Sequence, residues 1–317
     1  MSGINAHAGL LFAGGSGGGG GGGSPPLDTY GSAALAFSTR LVRTAYAGNC
    51  MKVRRSSDNT TQDIGFVGGT LDTASLLTFC GAGNGFVDTW YDQSGNACDV
   101  SQATQANQPQ IVSSGAVLTQ NSLPSVLFDG TNDALTSAFS ITSVFTARAA
   151  SVFVVEKSAN TTQASGPFVA LSRSSLRDYS SGFVFGRRTT NMGIEIGTGN
   201  GTTAAADSQG YTGSDTNASA LSQCNAIIAA SGSVLTVHAD ATLKTLTSFN
   251  GSMATSSFQS VGTGSYRAIL GSRNNNATNT LDFWFAGSLS EAIVWPADQS
   301  SNRAAIQLNQ KAYYGTP

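Results

Sequence analysis

The chain has 317 residues, 38 of them glycine, with 11% charged residues and a formal net charge of −2. Charge this sparse, against roughly 25% in an ordinary soluble domain, leaves solubility to neutral polar groups, and the missing positive balance removes the counterion release that drives phosphate-backbone binding. No apolar run approaches the ~18 to 20 residues of a membrane span, so neither nucleic acid nor membrane is expected as a partner.

Residues 1–13 form a short apolar arm without the basic leader and longer apolar core of a secretory signal. That predicts a product which stays in the cell that makes it or leaves on lysis. Residues 14–26, GGSGGGGGGGSPP, impose almost no backbone preference. They set the expected organisation: an arm and glycine-rich linker over 1–26, then one domain over 27–317. From Ser32 to Tyr46, the spacing of Leu35, Leu41, Val42 and Ala45, with Ser at the start and Gly48 beyond the end, predicts a helix.

After Tyr46 the pattern changes. Short runs rich in β-branched and aromatic residues recur, among them FVDTWY, PSVLFDG, SVFVVEK, GFVFGRR, MGIEIG, SVLTVHAD and RAILGS, each bounded by Gly, Asn, Asp or Ser. Strands at that density without helices between them predict an all-β antiparallel sandwich. The chain closes with SSNRAAIQLNQKAYYG, read as one helix docked on the sheet through Ala304, Ala305, Leu308 and Ala312, with Gly315 as its stop.

Cys50, Cys80, Cys98 and Cys224 lie too far apart for a CxxC motif, and with only His7 and His238 in the chain a zinc site is not expected. They read as free or buried thiols, or as disulfides if the protein works outside the cell. No cofactor is implied. The stretch TWYDQSGN allows two readings. Asp92 and Ser94 can satisfy nearby backbone and Gly95 supplies a positive φ, which makes a framework corner. Alternatively Trp90 or Tyr91 stacks on a sugar while Asp92 or Gln93 accepts hydroxyl hydrogens. Asp129 and Asp133, four apart around a glycine turn, read as an Asx-stabilised turn or as weak calcium ligands.

Two stretches carry a family resemblance: YAGNCMKVRRSSDNTTQDIGF at 46–66 and TFCGAGNGFVDTWYDQSGNACDVSQAT at 78–104. Both resemble the catalytic domain of the fungal-type α-L-arabinofuranosidase B family, family 54 of the glycoside hydrolases, which implies a concanavalin-A-like (laminin-G-like) β-sandwich with a few peripheral helices. Domains with these signatures also look like ones in bacteriophage virion proteins. The resemblance implies a nucleophilic Glu on a central strand, for which Glu195 in MGIEIG is the candidate. It also implies an acid/base Asp after a strand ending Ile-Leu-Gly, a position that here falls on Asn275. An Asn cannot deliver a proton to a leaving oxygen, unless a shifted carboxylate, Asp282 or Glu291, takes the role. The family's vicinal cysteine pair is missing around SRSSLRDYSSGF, and the expected partner of Cys80 is replaced within GAGNG.

These departures, with the arm, predict a bacteriophage virion subunit of decoration or fibre type rather than an enzyme. It is made in the host cytoplasm, anchored to other virion proteins through residues 1–26 and homo-oligomeric. Its sandwich offers Trp90, Tyr91, Asp92, Gln93 and Asn275 to a host-surface glycan, many copies compensating for one weak site. The alternative is a glycan hydrolase, an arabinofuranosidase or tail depolymerase, dependent on Glu195; a cellular lectin or adhesin is the third reading.

Overall fold

The computed structural model describes residues 23–137, 149–159, 166–173, 183–188, 193–198, 208–212, 220–228, 235–250, 266–274 and 280–317. Strand Ala286–Trp295 is the spine of one sheet. On one side it pairs antiparallel with Ala150–Ser158, across a bulge between Val155 and Glu156; on the other it meets Val126–Asp129 and then Leu35–Ser38. Strands Ser222–Ile228 and Leu235–Ala239 extend this sheet.

The second sheet runs from Leu246–Asn250 through Ser208–Thr212, Gly193–Thr198, Phe183–Arg188, Gly166–Arg173, Tyr266–Leu270 and Leu135–Ser137 to Val100–Ser101. Strand Gly85–Trp90 is the fork between the sheets. Its first half pairs with Gln110–Ser113, which leads to Val126–Asp129, and its second half with Val100–Ser101. Met51–Arg55 and Thr61–Ile64 continue from its other edge.

Alternation along each strand decides which side chains enter the space between the sheets. Phe183 and Phe185 point inward, where Phe168 and Phe285 meet edge to face at 5.2 Å. Val184, Ala170 and Ile269 stand on the outer face of the second sheet. Gly271 belongs to the same design: at φ +81° a Cβ there would lie 2.3 Å from the Phe128 ring, so only glycine lets the strand turn beside the aromatic cluster.

The first sheet is buried on both faces, which its continuous apolar runs require. Its outer face, with Phe153, Ile227, Ile293 and Trp295, is covered by Leu27, Ala33 and Ile306. Among the described residues no helix is long and apolar enough to cross a membrane.

The helix expected over Ser32–Tyr46 is not formed. Leu35–Ser38 is a strand, with Leu35 and Phe37 entering the inter-sheet core and Ala36 the outer layer. Pairing with Val294 to Glu291 supplies its backbone hydrogen bonds, and long-range pairing outweighs a helical spacing of four apolar residues. The final helix stands where expected, Arg303–Tyr314, with Gly315 at φ +65°, but rotated from its expected face. Ile306, Gln307, Asn309, Gln310 and Tyr314 are buried while Leu308 is 65% exposed. The cause is a buried carboxylate beneath it, Glu291, which Gln310 and Tyr314 reach with hydrogen bonds. The arm Met1–Ala13 and the linker up to residue 22 lie outside the described residues.

Candidate functional site

The TWYDQSGN stretch forms a corner. Trp90 closes its strand with the ring wholly buried, 6.3 Å from Phe37. The Asp92 carboxylate accepts the backbone N–H groups of Ala36 (2.8 Å), Ser94 (3.0 Å) and Cys98 (3.2 Å) and the Ser94 hydroxyl (2.5 Å). Burial raises its pKa against the pull of those four bonds. Gln93 accepts the Val42 N–H and donates to the carbonyls of Ser38 and Arg40. Together Asp92 and Gln93 brace the extended segment 34–42. Trp90, Asp92 and Gln93 are therefore sealed from solvent, and the sugar platform sketched from them has only Tyr91 at the surface, its hydroxyl donating to Asp63 at 2.6 Å.

The outer face of the second sheet is different. Glu195 lies on Gly193–Thr198, in register with Gly186 on one neighbour and Tyr211 on the other. Gly186 stands in the row of Val184, alternate to the core row of Phe183 and Phe185. Asn275 lies outside the described residues; the strand pair on either side of it in sequence, residues 273–274 and 281–282, is anchored on this same face. Arg273 pairs with Asp282 and Asn274 with Leu281, and Leu281 packs on Ala170, Val184 and Ile269. Leu281 thus lies over the strand adjacent to that of Glu195, neighbouring strands being about 4.8 Å apart. Asp282 is held there by Arg273, Nε to Oδ1 3.0 Å, and the Arg273 guanidinium lies 4.1 Å from the Phe283 ring centre.

Glu291 stands on the opposite side of the molecule, fully buried beneath the final helix. Arg40 donates to it from Nε at 2.7 Å and Nη2 at 3.1 Å, and the Ser38 hydroxyl at 2.9 Å. Burial alone would raise its pKa; the charge of Arg40 and these bonds hold it below the usual carboxylate range. Of the two carboxylates proposed to stand in for position 275, Glu291 has no path to a substrate, while Asp282 belongs to the strand pair flanking that position in sequence.

At the fork between the sheets, Asp133 accepts the Asp129 N–H at 2.9 Å, and Asp129 accepts those of Thr131 and Asn132, an Asx-type turn. Burial, and then the neighbouring Asp129 charge, push the Asp133 carboxyl up to about 6, against the hydrogen bond from Asp129. The two border a cleft of about 340 Å³ floored by Phe86 and Leu127. Sequence reasoning missed this cleft because its residues meet only through strand register. Among the described residues no group of three or more His, Cys, Asp or Glu could hold a metal, and all four cysteines are free and buried.

Residues 26–205 match the family model of the α-L-arabinofuranosidase B catalytic domain. The fold is also similar to that of solved structures, among them the following three. One is an arabinofuranosidase complexed with arabinofuranosyl-α-1,2-xylobiose, at 17% identity and TM-score 0.57. A second is a glutamate-to-glutamine mutant of a glycoside hydrolase family 54 α-L-arabinofuranosidase soaked with 4-nitrophenyl α-L-arabinofuranoside, at 17% and 0.59. The third is a family 54 enzyme soaked with a cyclic sulfate inhibitor, at 16% and 0.54. Each alignment covers 92% of this chain and 65% of the other, so the chain spans under two thirds of their length. No curated protein matches the sequence.

The architecture is accordingly a concanavalin-A-like antiparallel β-sandwich with a few peripheral helices. The family match overturns the expectation of a bacteriophage virion subunit, and with it the virion partners at residues 1–26 and the homo-oligomer built on them. It also corrects the expectation of a non-enzyme: the matched segment is that of a catalytic domain and includes the strand of Glu195.

Proposed function

Because this chain belongs to the family of α-L-arabinofuranosidase B catalytic domains, we propose that it is a glycoside hydrolase cleaving α-L-arabinofuranosyl linkages, with Glu195 as its nucleophile. The observation that carries this reading is that the strand pair of residues 273–274 and 281–282 packs, through Leu281, on the strand next to that of Glu195. Retaining hydrolysis needs two carboxyl groups, about 5 to 5.5 Å apart, one attacking the anomeric carbon and one protonating the leaving oxygen. Asn275 offers an amide, which donates a hydrogen bond but no proton. Asp282 is the carboxyl group on that strand pair and takes the acid/base role, positioned by Arg273.

The assignment is tested with two substrates. 4-Nitrophenyl α-L-arabinofuranoside has a leaving group that departs without protonation, whereas arabinofuranosyl-α-1,2-xylobiose requires a proton. The wild-type chain is expected to release product from both, and Glu195→Gln to lose both. Asp282→Asn should slow the xylobiose substrate by about 10²- to 10⁴-fold, the worth of a general acid, and the aryl substrate far less; adding Asn275→Asp should restore part of the loss. A folded wild-type chain that releases nothing from either substrate would overturn the proposal.

A further inference from the structure

Outside the face assigned to hydrolysis, strand register assembles a second site. Phe86 pairs with Gln110 and Gln110 with Leu127, a row across three strands on the outer surface of the fork. One wall is the loop before Gln110. It is rigidly built: Gln108 donates to Asp88 and to the Gln102 carbonyl and accepts Arg54 Nε at 2.6 Å, while Arg54 also donates to the Gln105 carbonyl. Arg54 lies over the Phe86 ring at 4.7 Å and fixes its plane. The opposite wall is the Asp129–Asp133 turn, with Asp133 only 6% exposed. The enclosed cleft of about 340 Å³ has an apolar floor and a rim of amides and carboxylates.

We propose that this cleft is a second, non-catalytic binding site for a neutral oligosaccharide, seating one sugar ring on Phe86 and Leu127 with its hydroxyls donating to Asp133, Asp129 and Gln110. The chemistry of the lining selects this class. Two carboxylates on the rim disfavour an anion, since the adjoining cation, Arg54, already donates to Gln108, Asn59 and the Gln105 carbonyl. Calcium takes 6 to 8 oxygen ligands, but Asp133 Oδ2 and Asp129 Oδ1 are already engaged by backbone N–H groups, leaving one oxygen on each. An apolar floor with convergent acceptors is how a sugar is held by its C–H face and its hydroxyls. The volume lies at the small end of ligand sites, roughly 300 to 1,000 Å³, the scale of one or two sugar rings. For a hydrolase the use is retention on a polymeric substrate, since a second weak site raises the effective concentration of glycan at the first.

The choice of probe rests on the hydrolase reading; the site itself does not. The experiment is a titration of the full chain carrying Glu195→Gln, which keeps the probe intact, with arabinofuranosyl-α-1,2-xylobiose, followed by amide NMR shifts and calorimetry. Shifts are expected at residues 86, 105–110 and 129–133. Phe86→Ala should weaken this binding about tenfold, the worth of one aromatic platform. Ala106→Trp, on the exposed rim and away from the core, should block it with no change in melting temperature. In the otherwise wild-type chain the same two variants should leave 4-nitrophenyl α-L-arabinofuranoside hydrolysis unchanged and lower binding to insoluble arabinoxylan. Titration at the cleft without any hydrolysis by the wild-type chain would sink the hydrolase reading and keep the site. Hydrolysis without shifts at the cleft, shifts with calcium alone, or arabinoxylan binding indifferent to Ala106→Trp would each overturn the site.

Discussion

Glu291→Gln isolates the cost of a buried charge left without its partner. In the wild type Glu291 is fully buried and Arg40 is 3% exposed, and the carboxylate accepts from Arg40, Ser38, Gln310 and Tyr314. Glutamine has nearly the same shape but no charge, so the Arg40 guanidinium stays in a sealed site without a counter-ion. Breaking a buried pair by removing one partner costs about 3 to 5 kcal/mol. The apolar double replacement Arg40→Met with Glu291→Leu removes both charges, and its cost is then chiefly the orphaned Gln310 amide, about 1 to 3 kcal/mol, because the Ser38 hydroxyl keeps Tyr314 and the Tyr314 hydroxyl keeps the Ser290 carbonyl. Urea unfolding of the single and double variants measures both terms. The double variant is expected to be no less stable than Glu291→Gln, although it changes more atoms. A Glu291→Gln loss under about 1 kcal/mol would show that the site is wetter than its burial implies. A variant that stays stable but loses aryl-glycoside hydrolysis would refute a purely structural Glu291.

Gly271→Ala forces a side chain into a left-handed backbone at φ +81° and to 2.3 Å from the Phe128 ring; strain and overpacking together should cost about 2 to 4 kcal/mol in urea unfolding, and a neutral outcome would mean that the aromatic cluster yields. Asp133 keeps its proton to about 6 in the folded chain against 3.8 in the reference state, so the folded form binds more protons in that window and stability falls as pH rises through it. Asp133→Asn should therefore stabilise the protein at pH 8 by at most about 3 kcal/mol and do little at pH 3; equal effects at both would exclude titration as the cause. His238 has the opposite sign. Burial first, and the charge of Arg303 second, lower it from 6.5 to about 4, so the unfolded chain binds the extra proton and stability is lost as pH falls from about 6.5 to 4. His238→Gln should flatten that slope, seen as a melting temperature that no longer drops between pH 6.5 and 4.

The alternating runs made the sandwich legible, because a period of two with turn residues at each end has few other solutions. What they could not show is which residues meet across the chain. Leu35, Leu41, Val42 and Ala45 carry a helical spacing, yet the segment is held extended by partners more than fifty residues away, Asp92 on Ala36 and Gln93 on Val42. The final helix was legible in place and length but not in rotation, since its buried face joins Ile306 and Tyr314 to the amide Gln310 that reaches Glu291, and not to its alanines and Leu308. The YDQSG corner was legible as chemistry: Asx and Ser side chains beside a glycine satisfy backbone wherever they occur. The cleft at Phe86 was not, because Phe86, Gln110 and Leu127 carry no motif and become neighbours only when three strands come into register.

The departures from the family pattern do not weigh equally on catalysis. Cys80, without its expected partner, is a free thiol packed at Gly85, where an added Cβ would lie 2.7 Å from its sulfur. Its helix, Thr73–Cys80, is capped by Asp72 and closed at Gly81, with Leu76 in the core. A disulfide there would act as a staple, and packing already holds the element. The missing vicinal cysteines fall outside the described residues, at a segment whose role in the resemblance is to line the sugar site, not to move a proton. On the proposed reading, position 275 is the departure that bears on the bond-breaking step, and it removes one component of that step. Proton donation is worth about 10² to 10⁴ of a total enhancement that reaches 10⁶ or more. Attack by a nucleophile and orientation of the sugar do not pass through position 275. A chain with Glu195 and Asn275 is therefore expected to be an enzyme selective for good leaving groups, with Asp282 deciding how far that selectivity is relaxed.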